Sequence, residues 1–182
     1  MENEYSPAHT AGVCVLNSFL FILSMLYLLF HIGKDRYALE ARHVVEVIPF
    51  VALKKVPHAP RAVAGIFNYR GQPVPALDLC ELTFGCPARE RLSTRIILAK
   101  CPDPSGQNLL LGLIAEQATE MMRRDEHDFL DTGVKVGAVP YLGPVIMDDK
   151  GVIQLLHAQY LLAEGVRELL LAPTFPVGGV MP

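Results

Sequence analysis

Charge is scarce in this sequence and has no basic bias. Only 19% of its 182 residues are charged, and the formal net charge is −3. A nucleic-acid binder needs a positive face, so no nucleic-acid partner is expected. Cysteine is also scarce, at four: Cys14, Cys80, Cys86 and Cys101. No two form a Cys-x-x-Cys pair, and no histidine stands at zinc-finger spacing from them. They read as thiols of a reducing cytosol, with a disulfide between two of them as the open alternative.

The motifs of catalysis are missing too. There is no Gly-x-Ser-x-Gly, no glycine loop ending in Lys-Ser/Thr, and no His-Glu-x-x-His. The histidines, at 9, 31, 43, 58, 127 and 157, include no pair at metal-ligand spacing on one helix face. The one adjacent carboxylate pair, Asp148-Asp149, falls in a turn signal where Asp is ordinary. No enzyme, cofactor, metal or nucleotide is therefore expected.

Residues 13–30 form an uncharged apolar run at the lower limit for crossing a bilayer. Positive charge ahead of it is absent. Glu2 and Glu4 precede it and the first Lys or Arg is Lys34, which argues against a secretory signal. If the run spanned a membrane, Lys34 and Arg36 would favour a cytoplasmic C-terminal side. A strand over Leu26–Ile32 would leave too few apolar residues upstream to span. Residues 1–24 then read as an extension or a misassigned translation start, with a membrane anchor or an extra packed helix as alternatives.

What the chain has is apolar residues (51%) and frequent turn formers, 14 glycines and 14 prolines spread along its length. The length suits one domain, or two small subdomains sharing an interface. Short apolar runs separated by turn signals read as strands: Leu26–Ile32, Arg36–Leu39, Val44–Pro49, Ala52–Val56, Arg95–Lys100, Leu109–Ala115 continuing to Met122, Val136–Val139, Pro144–Met147 and Val152–Leu156. Residues 85–94 read as a polar loop, and Arg123–Thr132 as a charged connector. A helix is expected from His157 to about Leu171, and a frayed tail from Ala172. That spacing argues for small barrels rather than a helical bundle.

The centre of the chain is Val63–Leu79. It reads as a β-hairpin with a turn at Arg70-Gly71-Gln72, where Gly71 can take positive φ. Pro73 and Pro75 suit an edge strand, which offers backbone groups to another protein. Asp78 suits the N-cap of a short helix over Leu79–Phe84.

This stretch resembles the signature of the CheW-like domain, the adaptor module of bacterial chemosensory arrays. Gly65, Asn68, Arg70, Gly71, Pro75, Asp78 and Leu79 match the pattern. So do the opening strand and Gly turn over Leu26–Leu39, and Val44, Glu46 and Val47 of the next strand. Ala115–Met121 is a looser match, with Glu116 where Asp is common, and His157 also stands in the place of a common Asp. These departures suggest a divergent paralogue, with a surface-sensing pathway of the Wsp kind as one candidate. The resemblance implies a mainly β fold of two SH3-like five-stranded β-barrel subdomains packed around a shared apolar core, with short helices, over residues 25–165, followed by a tail at 166–182.

The resemblance also implies a non-enzymatic adaptor, cytoplasmic and at receptor arrays near the inner membrane. Its partners would be the cytoplasmic tip of a methyl-accepting chemoreceptor and the CheW-like regulatory domain of a chemosensory histidine kinase. Membrane association would come through the receptor alone unless residues 13–30 span. A membrane-anchored adaptor and a generic SH3-like peptide-binding module are the alternatives. The implied partner-binding residues are Val44, Glu46, Gly65, Asn68, Arg70 and Gly71. Each has a plainer reading: Val44 as core, Glu46 as a solvated strand face, Asn68 as its own turn's hydrogen-bond acceptor, Arg70 as a solvated turn residue, and both glycines as conformational requirements. Met121, Met122 and Met147 read as core fillers.

Overall fold

The computed structural model describes residues 24–102, 108–131 and 139–161. The readings made for the first 23 residues, for 136–138, and for the helix and tail beyond 161 lie outside those residues. Among the described residues nine strands form: β1 (Ser24–Ile32), β2 (Asp35–Glu40), β3 (Val44–Pro49), β4 (Val63–Tyr69), β5 (Gln72–Asp78), β6 (Thr94–Pro102), β7 (Asn108–Asp125), β8 (Leu142–Asp148) and β9 (Gly151–Leu156). One short helix, α1 (Leu79–Phe84), follows β5, and single 3-10 turns cover Ala41–His43, Glu126–Asp128 and Ala158–Tyr160.

The strands pair into one sheet that folds into two five-stranded lobes. Its main path runs β3-β6-β7-β1-β2-β9-β8, and β5 and β4 branch from β7. The first lobe holds β3, β6, the start of β7, β5 and β4. The second holds the end of β7, β1, β2, β9 and β8. Neither lobe closes through a strand ladder; one isolated bridge draws each rim together, Lys54 to Ile66 in the first and Leu130 to Val145 in the second.

The 18-residue β7 belongs to both lobes. Gly112–Ile114 pair in parallel with β5, residues 108–116 pair with β6, and residues from Glu116 onward pair with β1. Between the lobes sits Gln117 at φ 50, with its N–H donating to the Ser93 carbonyl at 3.0 Å. The ladder to β1 shifts register beside it, a bulge that turns the strand from one lobe into the other.

The described part of the N-terminal apolar run, from Ser24 on, is explained by the position of β1. It lies between β2 and β7 with both faces covered, so it reads as continuous hydrophobics rather than alternation. Leu28, Phe30 and Ile32 enter the largest core cluster, which also takes Leu39, Leu77, Leu79, Ile97, Leu113 and Leu156 and so joins the lobes. Tyr27 points the other way, into the second lobe's own cluster with Ala38, Ile146 and Ile153. A third cluster of Phe67, Val74, Ile96, Leu98 and Ile114 belongs to the first lobe. Each fully buried side chain of this size contributes roughly 1.5–3 kcal/mol. Among the described residues no helix is long and apolar enough to cross a membrane.

Several local readings are corrected. Arg123 is not in a connector: Arg123, Arg124 and Asp125 pair with Leu26, Met25 and Ser24, because β1 needs a partner along its whole length. Ala52–Val56 contributes a single bridge at Lys54 rather than a strand. The return strand β5 is an edge only up to Pro75; Ala76–Asp78 lie between β4 and β7. Met122 is core at 7% exposure, but Met121 and Met147 are 50% and 66% exposed. Adjacent strand residues face opposite sides, so burying Met122 and Ile146 turns Met121 and Met147 outward.

Candidate functional site

The hairpin tip is shaped by two residues of positive φ, Arg70 at 51° and Gly71 at 87°. That pairing suits a two-residue turn whose twist matches the flanking strands, so Gln72 belongs to β5 rather than to the turn. Arginine rarely adopts this conformation, and here its surroundings hold it. The Asn68 Oδ1 accepts the Gly71 N–H at 2.8 Å. The Arg70 guanidinium lies 5.0 Å from the centroid of the Tyr69 ring. It also donates from Nη2 to Glu46 Oε2 at 2.9 Å.

Glu46 comes from β3, a strand that has no ladder to the hairpin. The Lys54–Ile66 bridge curls the first lobe until β3 and β4 approach. Glu46 Oε2 then receives two donors, Arg70 and the Tyr69 hydroxyl, the latter at 2.5 Å. The hydrogen bond to this carboxylate raises the Tyr69 phenol above its ordinary range. Arg70 remains 74% exposed and Glu46 40% exposed, so the ion pair contributes ~1 kcal/mol or less to stability. Its effect is orientation: it fixes a guanidinium with free donors at an outer corner.

Of the six residues singled out in the sequence, the structure brings Glu46, Asn68, Arg70 and Gly71 together. Gly65 lies at the base of the same hairpin, where it faces the Lys54 carbonyl; an added Cβ would sit 2.6 Å from that oxygen. Val44 is elsewhere. It is half-buried at the start of β3, pairs with Ala99 and packs against the shared core, with a bulge at Val45 separating it from Glu46. Tyr69 was missed, although an aromatic directly before a tight turn was visible in the sequence.

Asp78 behaves as a cap and more. It is buried, and its carboxylate accepts from the N–H groups of Cys80 (2.9 Å), Glu81 (3.1 Å) and Ala88 (2.8 Å). Beside it a cavity of about 590 Å³ opens between the segment around Phe50–Ala64 and the Pro87–Thr94 loop. The Asp78 carboxylate in its wall is already committed to the backbone. Among the described residues no three His, Cys, Asp or Glu side chains converge as a metal site would require.

Fold and site together define a two-lobed, mainly β module whose shaped polar groups stand on an outer corner. The chain belongs to the CheW-like domain family, which matches residues 26–166. It is similar to the chemotaxis protein CheW of Helicobacter pylori, with 29% identity over 100 residues. That match takes in 54% of this chain and 57% of the relative, so the chain spans little more than half of that relative's length. In fold it matches the scaffolding protein TtCheW of Thermoanaerobacter tengcongensis at a TM-score of 0.68, with 22% identity, covering 92% of this chain and 99% of that one. The likeness gives the two lobes their description as SH3-like β subdomains.

Proposed function

We propose that this chain is a non-enzymatic adaptor that couples methyl-accepting chemoreceptors to a chemosensory histidine kinase in the cytoplasm, at receptor arrays near the inner membrane. The observation that carries this reading is the family match over residues 26–166. The geometry supports it, because the oriented groups of the molecule stand on the surface.

One partner, the receptor tip, and the other, the CheW-like domain of the kinase, would be held at the same time on separate faces. Receptor state reaches the kinase only through a difference in binding between signalling states, so each surface needs a defined shape. The hairpin corner offers one. Arg70 presents its guanidinium to a partner carboxylate, while Glu46, Tyr69, Asn68 and Gly71 hold it in place. Gly65 acts through the fold, by letting Lys54 approach β4. Val44 acts from the base of β3, beside the exposed Val45.

Arg70→Glu tests the assignment. It reverses the charge at an exposed position, so the thermal melt stays near wild type while recovery of receptor or kinase in a pull-down is lost. Unchanged recovery of both partners removes Arg70 from the docking surface. Failure of the unaltered chain to recover either partner overturns the adaptor reading itself.

A further inference from the structure

Two thiols approach each other beside α1. Cys80 lies in the first turn of the helix and is 7% exposed; Cys86 follows the helix and is exposed. Gly85 ends α1 at φ 69, its N–H donating to the Glu81 carbonyl at 3.0 Å, and reverses the chain. Two residues beyond Cys86, the Ala88 N–H is tied to Asp78 Oδ2. The chain is thus pinned on both sides of Cys86, which leaves its Sγ 3.8 Å from Cys80 Sγ.

We infer that Cys86 is an oxidative modification site, and that Cys80 resolves its oxidised form into a disulfide within the chain. The oxidant is a hydroperoxide, with hydrogen peroxide as the simplest. The Cys86 thiolate attacks one peroxide oxygen and the O–O bond breaks. A sulfenic acid forms, and the leaving hydroxide takes up the thiol's proton to become water. Cys80 sulfur then attacks the sulfenic sulfur as it loses its own proton; the S–O bond breaks and a second water leaves. Two thiols are oxidised by two electrons and one peroxide is reduced to two waters.

The order of events follows from the surroundings. Burial, followed by the hydrogen bond with Cys86, pushes the Cys80 thiol up to about 11, so it is a poor first nucleophile. Cys101 is buried and is pushed up to about 12, again by burial, so it stays inert. Exposure makes Cys86 the group a peroxide meets first. The sulfurs must close from 3.8 Å to about 2.0 Å, a movement within the reach of side-chain rotation at the exposed partner. The bond would tie the loop after α1 to the first turn of the helix, at the wall of the cavity that Pro87 and Ala88 line. α1 also contacts the second lobe, where the Tyr141 hydroxyl donates to the Leu82 carbonyl at 3.2 Å.

The test uses the full chain with Cys14→Ser, so that only these thiols and Cys101 remain. After treatment of the folded chain with hydrogen peroxide, the protein is unfolded in urea and alkylated with N-ethylmaleimide, and cleavage after Glu81 separates the two cysteines. The expected result is a pair of fragments held together until a reductant is added, with Cys101 fully alkylated. Cys80→Ser leaves a sulfenic acid at Cys86 that dimedone traps, and Cys86→Ser leaves Cys80 fully alkylatable at the same dose. The melting curve of Cys86→Ser, an exposed position, shows that the variant is folded. A stable sulfenic acid at Cys86 in the chain that retains Cys80, no oxidation of Cys86 at a dose that oxidises a free thiol, or equal oxidation of Cys80 in Cys86→Ser would each overturn the inference.

Discussion

Replacing Gly65 by alanine sets a methyl group against the backbone that curls the first lobe. The added Cβ would lie 2.6 Å from the Lys54 carbonyl oxygen, closer than atoms tolerate, and 3.0 Å from Leu53 Cβ, a tight contact. The backbone there, at φ 154, is one that only glycine adopts without strain; a side chain costs about 1–3 kcal/mol. To relieve the clash, Lys54 must move away and give up its two hydrogen bonds to Ile66, each 2.8 Å. Those contribute ~1 kcal/mol apiece. Clash and bridge loss are alternatives rather than a sum, so the expected destabilisation is about 3 kcal/mol. For a domain of this size that lowers the midpoint by roughly 6–12 °C. Gly71→Ala is the matched control, because it shares the positive φ but has no atom within 4 Å of the added carbon. It is expected to cost about 1 kcal/mol. Differential scanning calorimetry of the two variants measures the contrast. If Gly65→Ala melts no lower than Gly71→Ala, the close approach of Lys54 is not what this glycine permits.

Three further outcomes are expected. Arg36 donates to both carboxylate oxygens of Asp148, at 2.6 and 2.8 Å, and this hydrogen bonding holds the Asp148 carboxyl down at about 2 against its ordinary 3.8. A depressed carboxylate stabilises above its unfolded value and loses that contribution as pH falls toward the folded one. Asp148→Asn therefore unfolds in less urea at pH 7, by ~1 kcal/mol, and its gap to wild type closes between about pH 4 and pH 2; a gap that persists at the lowest pH contradicts this. Asp78→Ala strands three backbone donors at once, those of Cys80, Glu81 and Ala88, and costs about 2–3 kcal/mol by chemical denaturation. Glu46→Gln removes the anion that raises the Tyr69 phenol, so the Tyr69 ring carbon beside the hydroxyl titrates lower by NMR; an unmoved titration shows that the two side chains do not pair in solution.

Local features of the chain were legible because their causes are local. Asp78 caps α1 over Leu79–Phe84, where its place before an apolar run put the helix, and Gly85 closes the other end in the left-handed conformation. The hairpin of β4 and β5 follows from Arg70-Gly71 flanked by two apolar runs, and the prolines correctly marked the stretch of β5 that lacks a second neighbour. What was illegible depends on distant parts of the chain. The parallel pairings of β2 with β9 and β5 with β7 leave no trace in hydrophobic periodicity. The link from Glu46 to Tyr69 crosses 23 positions and exists only because a single bridge at Lys54 bends the lobe. Charge misled at Arg123 and Arg124, since a strand can carry an exposed arginine on its outward face, as at Arg123, and a half-buried one on the other, as at Arg124. The hairpin corner was therefore legible through its turn, and the Glu46 side chain that meets it only through the fold.

The parallel pairing of β2 with β9 brings together Arg36–Leu39 and Ile153–Leu156. One lobe is therefore built from the two extremes of the described chain, and the other is an uninterrupted stretch between them. On a ribosome the inner lobe has all its strands except the shared one as soon as β6 emerges, whereas the hairpin of β1 and β2 waits for its neighbour. At ordinary rates of synthesis that wait is on the order of ten seconds. For that interval an apolar ribbon carrying Leu28, Phe30 and Leu39 stays uncovered, a surface of the kind chaperones hold.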